Sequence, residues 1–165
     1  MSLRNAFTQG EPIIEIDGNF MKIQNTQHID GNGILKTQLN ALSRECFGQD
    51  HVAVPNEILY AIVDLDKDMH IIGAFLSVYI EDFGNGYCSI WNVCTSSRFR
   101  RRGLMRRLFT IVMTNLKRMG ALKIKLHVVH HNPQRDMLMN MYRKYGFEVS
   151  GWDKGNMIMT WRRRN

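Results

Sequence analysis

Six consecutive residues, Arg100, Arg101, Arg102, Gly103, Leu104 and Met105, carry the clearest chemistry in this 165-residue chain. They stand between an apolar, strand-like run ending near Thr95 and a helical pattern that begins near Gly103. The start of a helix leaves about four backbone N–H groups without partners and carries roughly half a positive charge. A strand–turn–helix joint of this composition is therefore a cradle for an anion such as a pyrophosphate. Gly103 would let a phosphate come close to the backbone. Taken alone, the charge run reads equally well as a solvated basic helix start or as a nucleic-acid patch.

Nucleophiles and metal ligands are sparse. Cys46, Cys88 and Cys94 are odd in number and show no C-x-x-C spacing, which argues against both a disulfide framework and a zinc site. They are expected to be reduced, buried packing residues. An acyl intermediate on Cys46 or Cys94 would require a Cys–His pair that spacing does not reveal, so direct transfer to an acceptor is the simpler chemistry. No carboxylate cluster has metal-ligand spacing, and no metal is expected.

The elements that must position the basic turn follow from periodicity. A short first strand is predicted over residues 20–23. Ile34, Leu35, Leu39, Leu42 and Cys46 recur at helical spacing and predict a helix over residues 34–47, with a second short helix beginning at Pro55. Residues 59–65 and 70–80 read as a hairpin around Asp66, Lys67 and Asp68, and residues 87–95 as a third strand after a Gly-Asn-Gly turn. Leu104, Leu108, Ile111, Val112, Leu116 and Met119 share one helical face, stopped by Gly120. Ile124, Leu126 and Val128 alternate with Lys123, Lys125 and His127, a strand with one buried face that leaves His127 on the polar side. A helix over residues 133–144 ends at Gly146, and residues 147–149 and 157–161 are the last strands. The order makes a mixed α/β (α+β) domain: a central, mostly antiparallel twisted sheet of six to seven strands flanked by about four helices.

Composition sets the bounds. The chain is 44% hydrophobic, enough for one core and too short for two ordinary domains, so residues 1–165 are expected to form a single domain with flexible termini. No stretch of about eighteen apolar residues and no signal-peptide pattern occurs, which predicts a soluble, cytoplasmic protein without membrane contact. A formal charge of +7 favours anionic partners, concentrated in residues 98–107 and at Arg162, Arg163 and Arg164.

The basic Gly turn after the third hairpin strand, together with Tyr142, Lys144, Gly146 and Phe147 near the end, resembles the GNAT superfamily of acetyl-CoA-dependent N-acetyltransferases. Arg100 to Leu104 fit the first five places of its R/Q-x-x-G-x-G/A motif, and Met105 departs from the sixth. Leu126, Val128 and Asn132 match the family's L-x-V strand and following Asn, although the stretch from Asn132 to Tyr142 is about three residues longer than is common there.

The resemblance implies acetyl-CoA as co-substrate, CoA as product and an amine acceptor: a small amine, a polyamine, an amino sugar or a protein amine. The strand edge at Val93, Cys94 and Thr95 would pair with the pantetheine arm. Arg101, Arg102, Gly103, Leu104, Met105 and Arg106 would hold the pyrophosphate, and Asn132 and Tyr142 would also touch the cofactor. Tyr142 matches the family's general acid. In a histone-acetylating branch the base lies on the strand before the turn, here at Ser89, which is not competent alone. In a ribosomal-protein-acetylating branch it lies five residues before the strand-end Asn, here His127. His130 and His131 compete with it, and water is the remaining alternative. Acceptors would be chosen by residues 27–56 and 151–156, with Glu45, Glu57, Asp64, Asp66, Glu81 and Asp82 as carboxylates favouring a cationic amine. A homodimer through the late strands, with Trp152 or Trp161, is a further expectation. The alternative to an enzyme is a basic nucleic-acid-binding module, which leaves the Tyr142 to Phe147 ending unexplained.

Overall fold

The computed structural model describes residues 11–64 and 71–165. Eight strands form one sheet: β1 (Ile13–Asp17), β2 (Phe20–Gln24), β3 (Glu57–Asp64), β4 (Ile71–Asp82), β5 (Tyr87–Thr95), β6 (Lys123–Val128), β7 (Glu148–Asp153) and β8 (Asn156–Arg162). Three helices accompany them: α1 (Ile34–Phe47), α2 (Leu104–Arg118) and α3 (Arg135–Lys144). The strand order is β1-β2-β3-β4-β5-β6-β8-β7. Every neighbouring pair is antiparallel except β5 and β6. The α/β expectation therefore holds, with one or two more strands in the sheet and one fewer helix than the periodicity indicated.

Burial on both faces explains the centre of the sheet. On β3, Ile58, Tyr60 and Ile62 point one way and Leu59, Ala61 and Val63 the other, and all six are buried. The first set joins the larger core, where α2 lays Leu108, Phe109, Val112, Met113 and Leu116 and α3 lays Tyr142. The second set joins a smaller core with Leu39 and Leu42 of α1. Each buried Leu or Phe removed from water contributes about 1.5–3 kcal/mol, so α2 anchors its own N-terminus firmly against the sheet. Since α2 and α3 share one face and α1 covers only part of the other, no described helix lies over β6 and β8 on the α1 side.

Several expectations need correction. Ile13–Asp17 forms a strand that alternation in so short a segment did not announce; it is held as a hairpin partner of β2 around Gly18. No helix forms at Pro55, because Asn56 takes a left-handed φ of 65° and the chain turns directly into β3. α3 starts at Arg135 rather than 133, since Asn132 Oδ1 accepts the Gln134 N–H and holds a turn there. The proposed hairpin turn at Asp66, Lys67 and Asp68 lies outside the described residues. Cys46 and Cys94 are not reduced packing residues: they form a disulfide, while Cys88 is free and buried. The two partners are 48 positions apart, and only the packing of the end of α1 on the end of β5 brings them together.

The loop before β3 is pinned by a buried ionic cluster. His51 Nε2 lies 3.0 Å from Glu57 Oε2, Thr26 Oγ1 donates to Glu57 Oε1, and Lys36 Nζ donates to the His51 carbonyl at 2.7 Å. Burial alone would raise the Glu57 carboxyl, but the His51 hydrogen bond and charge together with the Thr26 hydroxyl outweigh it, so the group sits below the usual carboxylate range.

Candidate active site

β5 and β6 begin as a parallel pair and then part. Their register runs from Tyr87↔Lys123 to Ile90↔Leu126 and stops there, although β5 continues to Thr95 and β6 to Val128. The cause is a bulge on β5. Asn92 stands at φ 55°, and Asn92 with Val93 opposes the single β4 residue Leu76 between the pairs Ser77↔Trp91 and Phe75↔Cys94. An inserted residue in the left-handed region bends its strand; Asn accepts that conformation more readily than other side chains with a Cβ. The β6-side edge of Val93, Cys94 and Thr95 therefore has no ladder partner, while the other edge stays bound to β4 through Phe75↔Cys94 and Ala74↔Thr95.

The chain leaves β5 through a 3-10 turn, Ser97–Phe99, and reaches α2 through two left-handed residues, Arg101 at φ 65° and Gly103 at φ 71°. Gly73 on β4 seats this turn. Its carbonyl accepts the Ser96 N–H at 2.8 Å, and a Cβ at Gly73 would come within 3.2 Å of both Phe99 and Leu104. Arg98 and Arg102 stack over Phe99 with guanidinium carbons 5.7 and 5.3 Å from the ring centroid. Gly103 caps α2 without any side-chain hydrogen bond, and a Cβ built on it would meet nothing within 4 Å. The first N–H groups of α2 thus open onto free space flanked by the exposed Arg101, Arg102 and Arg106. Met105 does not obstruct this space, because its side chain packs against the larger core.

Tyr142 lies on α3 against Phe109 and Phe147, with ring centroids 5.4 and 6.2 Å away, and burial pushes its phenol up to about 12. A phenol so placed stays protonated at neutral pH and can donate. Asn132 directs its side-chain oxygen into the start of α3.

On the other face, where β5 and β6 separate, Trp91 and His127 stack at 4.9 Å. The Trp91 indole N–H donates to Ser89 Oγ at 2.8 Å, and the Tyr79 ring meets Trp91 edge-on at 6.4 Å. His127 Nε2 is 3.8 Å from Asp153 Oδ2, and its buried Nδ1 has no hydrogen-bond partner among the described residues. An imidazole placed beside a carboxylate is positioned to exchange a proton with a group that approaches its Nε2.

The sequence-derived residues thus fall into two groups. Val93, Cys94, Thr95 and Arg101 to Arg106 form one continuous stretch along the parted edge and the turn, and His127 occupies the edge across the gap. His130 and His131 meet edge-on beyond the end of β6. Most of the acceptor carboxylates have other duties. Glu57 pairs with His51, Glu81 with Lys125 at 3.2 Å, Asp82 binds the Gly84 and Asn85 N–H groups, and Glu45 accepts the Ser97 N–H. Asp66 lies outside the described residues. Sequence reasoning missed Asn92, Gly73 and Trp91, and reached Asp153 only as part of the 151–156 segment. Asn92 carried a signal, an Asn inside a β-branched run; Gly73 and Trp91 had none. With the disulfide formed, neither Cys46 nor Cys94 offers a thiol nucleophile.

The parted parallel strand pair thus leads into an uncapped, arginine-flanked helix start. The model of the "Acetyltransferase (GNAT) family" matches residues 31–147, so the chain belongs to that family and is an acyltransferase. None of the curated proteins compared with the chain matches it. Among solved structures, the aminoglycoside 6'-N-acetyltransferase of Enterococcus faecium is 17% identical with a TM-score of 0.65, over 88% of this chain and 99% of that one. The ribosomal-protein-S18-alanine N-acetyltransferase of Escherichia coli is 14% identical with a TM-score of 0.61, over 76% and 86%. The PaiA N-acetyltransferase of Thermoplasma acidophilum, solved with coenzyme A, is 16% identical with a TM-score of 0.54, over 66% of this chain and 62% of that one. These likenesses concern the fold.

Proposed function

We propose that the protein moves the acetyl group of acetyl-CoA directly to a primary amine. The observation that carries this reading is the continuity between the unpaired β5 edge at Val93, Cys94 and Thr95 and the open N-terminus of α2. An extended amide-bearing arm fits the first, as an added strand would, and a pyrophosphate fits the second. Arg101, Arg102 and Arg106 supply the charge-assisted bonds, with Gly103, Leu104 and Met105 contributing backbone N–H groups.

When bound, acetyl-CoA supplies an acyl thioester. His127 takes the proton that the amine must lose, and Tyr142 protonates the leaving sulphur. Asn132 borders the same end of β6 and contacts the cofactor from the start of α3.

Calorimetric titration of the chain with acetyl-CoA and CoA tests the reading. One-to-one binding is expected, lost in an Arg102→Glu, Gly103→Asp double variant that remains folded. Absence of binding to the folded wild-type protein would overturn it.

A further inference from the structure

We propose that the acceptor is a cationic primary amine and that Trp91 and Asp153 select it; this deepens the transferase reading and depends on it. Trp91 is a large apolar side chain left 40% exposed on the α1 side of the sheet. It is nonetheless held in place: Ser89 Oγ accepts its indole N–H, the Tyr79 ring meets it edge-on, and the His127 ring lies tilted against it. An exposed, immobilised indole next to a proton acceptor is a surface for a cation, because the ring face is the negative pole of its quadrupole.

The charges around it have the matching sign. The Asp153 carboxylate lies 3.8 Å from His127 and is more than half exposed, so it is available to a ligand. Glu148 shares the face through its register with Thr160, which in turn opposes Lys125. The Lys125 ammonium is neutralised by Glu81. Lys123 and Arg162 occupy the same face only at its far end, and Lys154 follows Asp153 in the β7–β8 turn. In a chain of formal charge +7, the end of this face at His127 is thus a local exception. An anionic acceptor would bring its charge against Asp153 and Glu148, with Lys125 already paired and Lys123 at the far end of the face.

An ammonium held between Trp91 and Asp153 gives one proton to His127, its N–H bond breaking as an N–H bond to the imidazole forms. The freed lone pair then bonds to the acyl carbon, the C–S bond breaks, and the sulphur takes the Tyr142 proton. The amine's second proton leaves to solvent once the amide has formed, and Tyr142 and His127 are restored by exchange with solvent.

Steady-state acetylation of spermidine and of glucosamine 6-phosphate tests this directly, beside calorimetric titration with CoA. The kcat/KM for spermidine is expected to exceed that for the phosphate sugar by about 100-fold or more. Trp91→Leu and Asp153→Asn should each raise the spermidine KM by about tenfold, with CoA affinity unchanged and Trp91→Phe recovering part of the loss. Equal or better use of the phosphate sugar overturns the proposal, as does a spermidine KM indifferent to both substitutions. Binding of acetyl-CoA without acetylation of spermidine also overturns it and leaves the cofactor site standing. Failure to bind acetyl-CoA removes the transferase reading itself.

Discussion

Trp91 and Arg101 stand about ten positions apart on one continuous stretch of chain, and the regions around them are built in opposite ways. At Arg101 the working groups are backbone N–H donors presented by two left-handed residues and a helix start, with arginines around them. At Trp91 the side chains come from β4, β5, β6 and β7 and are aromatic and acidic in character. The first rests largely on backbone conformation, with the Met105 side chain turned to the core. The second depends on which side chains are present and can be changed without disturbing the sheet. A fold that keeps a shared co-substrate while varying its acceptor gains from this division of labour.

The division can be broken from either side. The largest effect is expected at His127, where replacement by Ala should lower kcat by about 10²- to 10⁴-fold and leave the CoA dissociation constant unchanged in calorimetry. A variant that lost CoA binding as well would show that the two regions are not separable.

Next comes the buried cluster below the acceptor side. Glu57→Gln removes one partner of a buried pair and should cost about 3 kcal/mol in urea unfolding. Because the folded Glu57 carboxyl sits below its unfolded value, its stabilisation is present above the unfolded value near about 4.3 and is lost as pH falls through the lower folded one. The wild type should show that acid-side loss and the variant should not.

Gly103→Val tests the turn by conformation alone, since its Cβ meets open space but a β-branched residue at φ 71° is strained. A cost of about 1–2 kcal/mol in stability, with weaker CoA binding, is expected against unchanged acceptor KM. The smallest effect is ionic. Raising salt from low to about 0.5 M should weaken CoA binding severalfold through the exposed arginines, and comparison with the salt dependence of the acceptor KM would sharpen the contrast.

The same division explains what could be read beforehand. The turn is local: Arg100 to Leu104 are neighbours in sequence as they are in the fold, so a short motif can gather them, as the alternation of Ile124, Leu126 and Val128 disclosed the polar side of β6. The acceptor face is assembled by pairings such as His127↔Ile158 and by the return of Asp153 from the next hairpin, which no spacing encodes. The partners of the carboxylates chosen by position were hidden for the same reason. Glu57 and Glu81 sit in plausible segments, yet each is matched to a partner that only the folded sheet supplies. The Cys46–Cys94 link was invisible because cysteine counting addresses frameworks of many bridges rather than one contact between a helix end and a strand end.

That link also changes what a broken chain would be. A protease cutting anywhere between Gly48 and Val93 would leave two fragments still joined through Cys46 and Cys94. The nicked protein would migrate as one species on a denaturing gel and separate only after a reductant was added. The end of α1 and the strand edge beside the helix start would remain tethered as neighbours through such damage.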